Sequence, residues 1–422
     1  MPFLKSLKLD GILSFPPGSE AIPLTPLNVL IGPNGSGKSN LIEGIELLRA
    51  LPTGFASAIR AGGGVREWLW KGENPASVGR VEASLDRASL SQRLNGGLRE
   101  GEPPGLDYKL AFAALEQRFE LTEEVVEDEF PPSGKSDDLR SYYRLQGGDS
   151  VVNGRRNGEL RASPVLGSNL SMLGEIFKDG RHLDRKSLRS DESILMQLKD
   201  PFVYPELTEL GLKFGQIQTF REWTIGRDAE VRKPQPTDLP ADFLLPDSRN
   251  LGLILNQLEH SAAWSEFNGY LSRFLPRFQR FSTRIEGGTV QFYLHEDGMK
   301  APIPATRLSD GTIRFMAILA QLLSPTPPPL ICMEEPELGL HPDAIALLAS
   351  LLQEASTRTQ LIVTTHSDIL ISALTEVADS VLVCEYRNGT VMQRVESSQL
   401  RFWLDKYTLG EIWRIGEIGG NL

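Results

Sequence analysis

The apolar run LNVLI ends at a glycine-rich loop, and beyond it LIEGIELLRAL repeats apolar residues at helical spacing. A buried strand therefore passes into an amphipathic helix. SVGRVEASLD, DYKLAFAAL and RFELTEEVV then read as short strands separated by Gly, Pro and acidic turns. From about residue 166 to 280 the pattern turns helical. SDESILMQL, RNLGLILNQLEH and AAWSEFNGYLSRF are candidate helices, joined by Pro-rich loops such as RKPQPTDLP. From about 281 onward FSTRIE and GGTVQFYLHED are strands. A helix (TIRFMAILAQLL), a buried strand (PLICMEE), a helix (PDAIALLASLLQEAS) and a strand (QLIVTTHS) follow. Strands alternating with helices imply a parallel sheet with helices packed on it. VLVCEYRNGTVMQRV is a predicted hairpin with Asn388-Gly389 in its turn. The expected fold class is α/β, in blocks 1–165, 166–280 and 281–422, the middle block being mainly helical.

Composition narrows the class. The chain has 422 residues, 40% apolar and 23% charged, which excludes a disordered or collagen-like chain. Two cysteines, Cys332 and Cys384, are too few for a disulfide framework. Both sit in apolar runs and read as buried thiols of a reducing compartment. MPFLKSLKLDG carries charges where a signal peptide needs an apolar core. FMAILAQLLSPTPPPLICM is broken by Ser324 and the prolines between Pro325 and Pro329, too soon for a membrane span. A cytoplasmic protein without membrane contact is expected.

Net charge is −11, so any nucleic-acid contact needs a local basic patch. Residues 139–189 hold ten Lys/Arg against five Asp/Glu, whereas residues 285–422 hold nine against seventeen. If RHLDRKSLR is helical, Arg181, Arg185 and Arg189 share one face. Such a row could follow the backbone of double-stranded DNA without reading bases. A solvated face, or arginines paired with neighbouring acids, explains the same pattern.

The candidate chemistry begins at residues 32–39, GPNGSGKS, which match G-x-x-x-x-G-K-[ST] in full between a strand and a helix. Gly32, Pro33, Asn34, Gly35, Ser36, Gly37, Lys38, Ser39 and Asn40 are thus candidate ATP-binding residues. Glycines let backbone N–H groups turn inward on phosphate oxygens, and the helix N-terminus adds partial positive charge. Lys38 would reach the β- and γ-phosphates, and Ser39 would ligate Mg2+. PLICMEEPELGLHP ends a buried strand in Glu334-Glu335. One carboxylate then faces the Mg2+ shell, through water, and the next lies across the pleat, near an attacking water. Glu334 is assigned to the metal and Glu335 to base or water orientation. Ser309 and Gly311 lie just before a helix. Ser309 suits a cap and Gly311 a close backbone approach to a ligand, though an ordinary helix start would look the same. His366 follows a buried strand, where a structural histidine is equally at home.

In this order the pieces resemble the ABC-type ATPase heads of the RecF, SMC and OLD group, among bacterial AAA-family ATPases. GPNGSGKSN is similar to Walker A, LSDGT to the LSGGQ signature and ICMEEPE to Walker B with its catalytic glutamate. GLHP is similar to the D-loop and TTHS to the switch-histidine motif, and TLGEIWRIGEIGGNL resembles the end of such chains. The resemblance implies a P-loop NTPase head of two lobes with a mixed sheet and an inserted helical arm. Residues 1–165 would be the Walker A lobe, 166–280 the arm, and 281–422 the lobe with signature, Walker B, D-loop and switch histidine. It implies a homodimer formed on ATP, in which Ser309 and Gly311 of one subunit meet the nucleotide on the other. His366 would contact the γ-phosphate and Asp343 would lie near the seam. Two departures stand out. Glu334 replaces the usual Walker B Asp, and Asp310 replaces a signature glycine, so its charge must point away or be hydrogen-bonded. The glutamine that reaches Mg2+ in such heads is assigned to Gln197, with Gln146 second.

The implied function is a DNA-associated ATPase in repair or phage defence. The alternative is an ATP-gated scaffold controlling a partner effector such as a nuclease or toxin. A transporter subunit is disfavoured because Lys38 and Ser309 are 271 residues apart. The 56 residues after His366 leave no space for the nuclease domain of OLD-type relatives, so nuclease activity would come from a partner.

Overall fold

In a computed structural model of the chain the described residues are 2–90, 105–115, 118–129, 141–147, 149–152, 181–182 and 188–419. Their strands are β1 (Leu4–Asp10), β2 (Ile22–Pro23), β3 (Leu27–Ile31), β4 (Val78–Asp86), β5 (Gly105–Leu115), β6 (Arg118–Asp128), β7 (Ser141–Gln146), β8 (Asp149–Val152) and β9 (Arg181–His182). They continue as β10 (Gln218–Phe220), β11 (Gln235–Pro236), β12 (Phe278–Glu286), β13 (Thr289–Glu296), β14 (Ile303–Pro304), β15 (Leu330–Glu334), β16 (Gln360–Thr364), β17 (Val381–Tyr386) and β18 (Thr390–Arg394). The fold is α/β, as the sequence implies. Two compact units interleave along the chain. One comprises Met1–Thr25, Gly35–Ile217 and Tyr386–Met392, the other Pro26–Asn34, Gln218–Glu385 and Gln393–Leu422.

The first unit is built on an antiparallel sheet of order β2-β1-β4-β5-β6-β7-β8-β9. Along β4, Val81, Ala83 and Leu85 are buried while Arg80 is exposed, the alternation of a sheet packed on one face. Helix Lys38–Ala50 buries Leu41, Ile42, Ile45 and Leu48, a stripe at helical spacing. Phe214 closes the core, edge-on to Phe3 and Tyr108 with ring centroids 6.1 and 5.4 Å away. The expected helix in SDESILMQL is a single turn, Ile194–Gln197, capped by Ser193. Pro201 follows closely and disfavours helical geometry at Asp200.

The second unit holds the parallel strands, in the order β10-β15-β16-β3-β17. β3 and β16 are buried at every position, which explains why LNVLI and QLIVT read as unbroken apolar runs. Register aligns Glu334 with Thr364 and Thr364 with Leu30. The carboxyl ends of β15, β16 and β3 therefore share one sheet edge, where ligands bind in open α/β sheets. Helices Asp310–Leu322 and Pro342–Ala355 bury long apolar stripes in the same core. A smaller antiparallel sheet, β11-β13-β12 with β14 on β13, turns between β12 and β13 at Gly287-Gly288, both with φ above zero. Both cysteines are buried thiols, and among the described residues no helix is long and apolar enough to cross a membrane.

Candidate functional site

The glycine loop leaves β3 at Gly32 and enters helix Lys38–Ala50 after Gly37, passing from one unit to the other between Asn34 and Gly35. Gly32, Gly35 and Gly37 have φ of 144°, 80° and 98°, values that L side chains avoid. Within the first unit the loop is braced from far along the chain. Thr390 Oγ1 donates to the Ser36 carbonyl at 3.0 Å and lies 2.6 Å from Ser14 Oγ. A Cβ on Gly37 would stand 2.0 Å from Thr390 Oγ1, so this glycine is fixed by packing as well as by φ. Ser36 Oγ is buried with no hydrogen-bond partner, and the Lys38 side chain is buried. An orphaned hydroxyl and a buried lysine in a loop of positive-φ glycines at a helix N-terminus fit a phosphate group.

The acidic strand end lies in the second unit. Glu334 closes β15, and Arg221, just past β10, donates from Nε to its Oε1 at 2.9 Å. Trp223 Nε1 donates to the Glu334 carbonyl at 3.3 Å and stacks on Phe220. Glu335 is a non-glycine residue at φ 45°, held there by its N–H to the Thr364 carbonyl at 3.0 Å. Strain of this kind persists where surroundings over-determine it, and it turns the Glu335 side chain off the strand line. His366 Nε2 stands 3.7 Å from Glu335 Oε1, so these two sequence-assigned residues meet.

Beneath them Glu337 is buried. Its Oε1 accepts from Thr365 Oγ1 and, at 3.3 Å, from the His366 N–H. Burial pushes its carboxyl above the usual carboxylate value, against those two hydrogen bonds. Glu337 is the residue that ties the two loops together, and its place in the EEPE run was its only mark in the sequence.

Ser309 caps helix Asp310–Leu322, its Oγ accepting from the Thr312 N–H at 3.1 Å. A Cβ on Gly311 would stand 2.8 Å from the Gly339 carbonyl, so the glycine makes room for the turn that precedes helix Pro342–Ala355. Asp343 is almost fully exposed in the first turn of that helix, and His341 caps it. Asp310, whose charge was expected to point away or be hydrogen-bonded, is paired with Arg232.

Two expectations change. Gln197, in the first unit, spends its amide on its own loop. Its Oε1 accepts from the Arg189 N–H at 2.8 Å, and its Nε2 donates to the Arg189 and Glu192 carbonyls at 3.1 and 2.8 Å. This is a loop clamp, and it gives the metal assignment of Gln197 no support; Gln146 is exposed at the end of β7. The helical arginine row does not form at its described ends. Arg181 lies in β9, while Arg189 is non-helical and pairs with Asp191 at 3.2 Å. Arg185 lies outside the described residues. The residues missed from the sequence, Arg221, Arg232 and Thr390, have partners far away along the chain and no periodic signal.

A family model described as "AAA domain, putative AbiEii toxin, Type IV TA system" matches residues 27–372. No curated protein matches the chain. Among solved structures, the chain is similar to an SMC head bound to the C-winged helix domain of ScpA. Identity is 15% and TM-score 0.56, over 94% of this chain and 100% of that one. It is likewise similar to the Pyrococcus furiosus SMC head with an extended coiled coil bound to the C-terminal domain of ScpA. Identity there is 14% and TM-score 0.54, over 96% of this chain and 99% of that one. The fold is that of the SMC-head type of P-loop NTPase.

Proposed function

The chain belongs to this AAA-domain family, and on that footing we propose that it is an ABC-type head that binds and hydrolyses ATP and pairs with a second copy when it does so. The observation that carries the reading is the glycine loop, with its three left-handed or extended-positive glycines and the buried, partnerless Ser36 hydroxyl. Gly32 to Asn40 would wrap the phosphates, with Lys38 on the β- and γ-phosphates. Ser39 and Glu334 offer oxygen donors suited to Mg2+, which when bound neutralises charge on the phosphate chain. Glu335 would orient or deprotonate the attacking water, and His366, beside it, would contact the γ-phosphate. Ser309 and Gly311 would meet the nucleotide of the partner copy through a helix N-terminus, which favours negative charge.

The test is turnover paired with binding. Lys38→Ala should lose nucleotide affinity. Glu335→Gln should keep binding and lose turnover by about a hundredfold or more. An unaltered rate in Glu335→Gln removes the base assignment.

Two outputs are open to such a head. One is work on double-stranded DNA in repair or defence, supported by charge segregation along the chain. The arginine row lends it no helical face. The other is control of a partner effector. It is favoured by the toxin named in the family's description and by the similar SMC heads being held by a ScpA domain. Affinity capture with Glu335→Gln and ATP, followed by identification of nucleic acid and protein together, separates them. DNA alone supports the first output, and a stoichiometric protein without DNA supports the second.

A further inference from the structure

The LSDGT segment puts a carboxylate at the first position of helix Asp310–Leu322. That suits the helix, whose N-terminus favours negative charge. It opposes a second negative group placed at the same helix end, such as a triphosphate. The structure answers with Arg232, from a short turn elsewhere in the second unit. Its side chain is 4% exposed, and its Nε donates to the Ile225 and Gly226 carbonyls at 2.8 and 3.1 Å. Nη1 donates to the Ala305 and Leu308 carbonyls at 3.0 and 2.7 Å, and Nη2 pairs with Asp310 Oδ1.

Two features of this cluster point the same way. Among the described residues Asp310 is the only carboxylate paired with Arg232, so the buried cation depends on it. The Asp310 side chain is 70% exposed, so the anion faces out while its counter-charge lies behind it. The Leu308 carbonyl also immediately precedes the Ser309 cap, so the same guanidinium sets the direction in which the segment enters the helix. Val231, fully buried, and the Gln235 amide donating to the Val231 carbonyl at 3.0 Å anchor the turn.

We propose that Arg232 is a positioning residue of the signature segment, cancelling the Asp310 charge so that a helix end carrying a carboxylate can accept the phosphates of a nucleotide held by a second copy. The inference rests on the reading that Ser309 and Gly311 act across a dimer, and it adds a residue and an electrostatic rule to it.

The rule predicts an order that simple bracing does not. ATP-dependent association is measured by sedimentation in the Glu335→Gln background, at low and high salt. Asp310→Asn keeps an acceptor for Arg232 and leaves an uncancelled positive charge, so association should tighten by about tenfold at low salt. That gain should fade as salt screens it. Arg232→Gln leaves the Asp310 charge exposed and should weaken association by about tenfold. The double variant Arg232→Gln/Asp310→Asn should return to within about threefold of the parent. A double variant as weak as Arg232→Gln overturns the charge-cancelling role in favour of bracing alone. Should Arg232→Gln fail to fold, Asp310→Asn decides by itself, and no tightening at low salt overturns the proposal. Absence of ATP-driven association in the parent is a different failure. It removes the dimer reading beneath, and the inference with it.

Discussion

Glu337 is the residue on which the Thr365-His366 loop rests, and its ionisation makes a measurable prediction. Burial holds its carboxyl above the ordinary value, opposed by the Thr365 hydroxyl and the His366 N–H. A raised folded-state pKa means that the folded protein holds the proton more tightly than the unfolded chain does. Its contribution to stability is then full below the unfolded value, about 4.3, and is lost as pH rises through the folded value. Glu337→Gln keeps an acceptor and never ionises. Its thermal stability relative to wild type should therefore rise between about pH 5 and pH 8. Melting curves at the two pH values check this, and a difference that shrinks with rising pH contradicts it. At this scale the sequence was most legible where chemistry is contiguous. Lys38 and Ser39 announce themselves in one loop, and Glu334 and Glu335 at one strand end. Arg221 was invisible because its partner Glu334 lies 113 positions away and a lone arginine after a short strand carries no pattern. Glu337 sat in plain view beside the assigned pair, but only the fold brings Thr365 and His366 onto it.

Two elements are held in place by the absence of a side chain. Gly37 ends the phosphate loop under Thr390, and a methyl there meets Thr390 Oγ1 while φ stays at 98°. Gly37→Ala should lower nucleotide affinity by at least about tenfold, from a strain of about 1–2 kcal/mol plus the displaced loop. Thr390→Val removes the bonds to the Ser36 carbonyl and to Ser14 Oγ, each worth about 0.5–1.5 kcal/mol net, but puts no strain on the loop backbone and should be milder. Titration with a fluorescent nucleotide orders the two, and a stronger effect for Thr390→Val would contradict the packing account. Gly311→Ala meets backbone, the Gly339 carbonyl, which cannot rotate away. A loss of about 1–3 kcal/mol in unfolding free energy is expected from such overpacking. Denaturant titration reads it, and an unchanged midpoint would show that the turn yields freely. Long periodic elements were legible: the helices Leu251–Glu259, Trp264–Phe274, Asp310–Leu322 and Pro342–Ala355 lie where the apolar spacing puts them. SDESILMQL was over-extended because its apolar residues allow a helix longer than the single turn that forms; Leu198 is already extended, at φ −115°, and Pro201 follows closely. RHLDRKSLR misled because charge spacing alone does not make a helix; Arg181 is in a strand and Arg189 is tied to Asp191.

For the molecule as a whole, the family and the SMC-head fold explain why motifs so distant in sequence belong to one protein. Their order was readable from the chain, because each motif is short and local. The interleaving of the two units was not, since Tyr386–Met392 joins the first unit through bonds such as Thr390 to Ser14 and Ser36, which no periodicity announces. The central claim is that ATP joins two copies through the Ser309 helix end before hydrolysis releases them. Closure of this kind excludes water and supplies N–H donors in trans. The most direct test is sedimentation velocity on Glu335→Gln, which should trap the ATP-bound state. With Mg2+ and ATP it should shift from monomer to dimer, and Ser309→Arg on the same background should remain monomeric, because the bulk of the new side chain then fills the place of the partner's phosphates. The same ATP-dependent dimer in the Ser309→Arg protein, or no dimer in Glu335→Gln at all, would contradict the account.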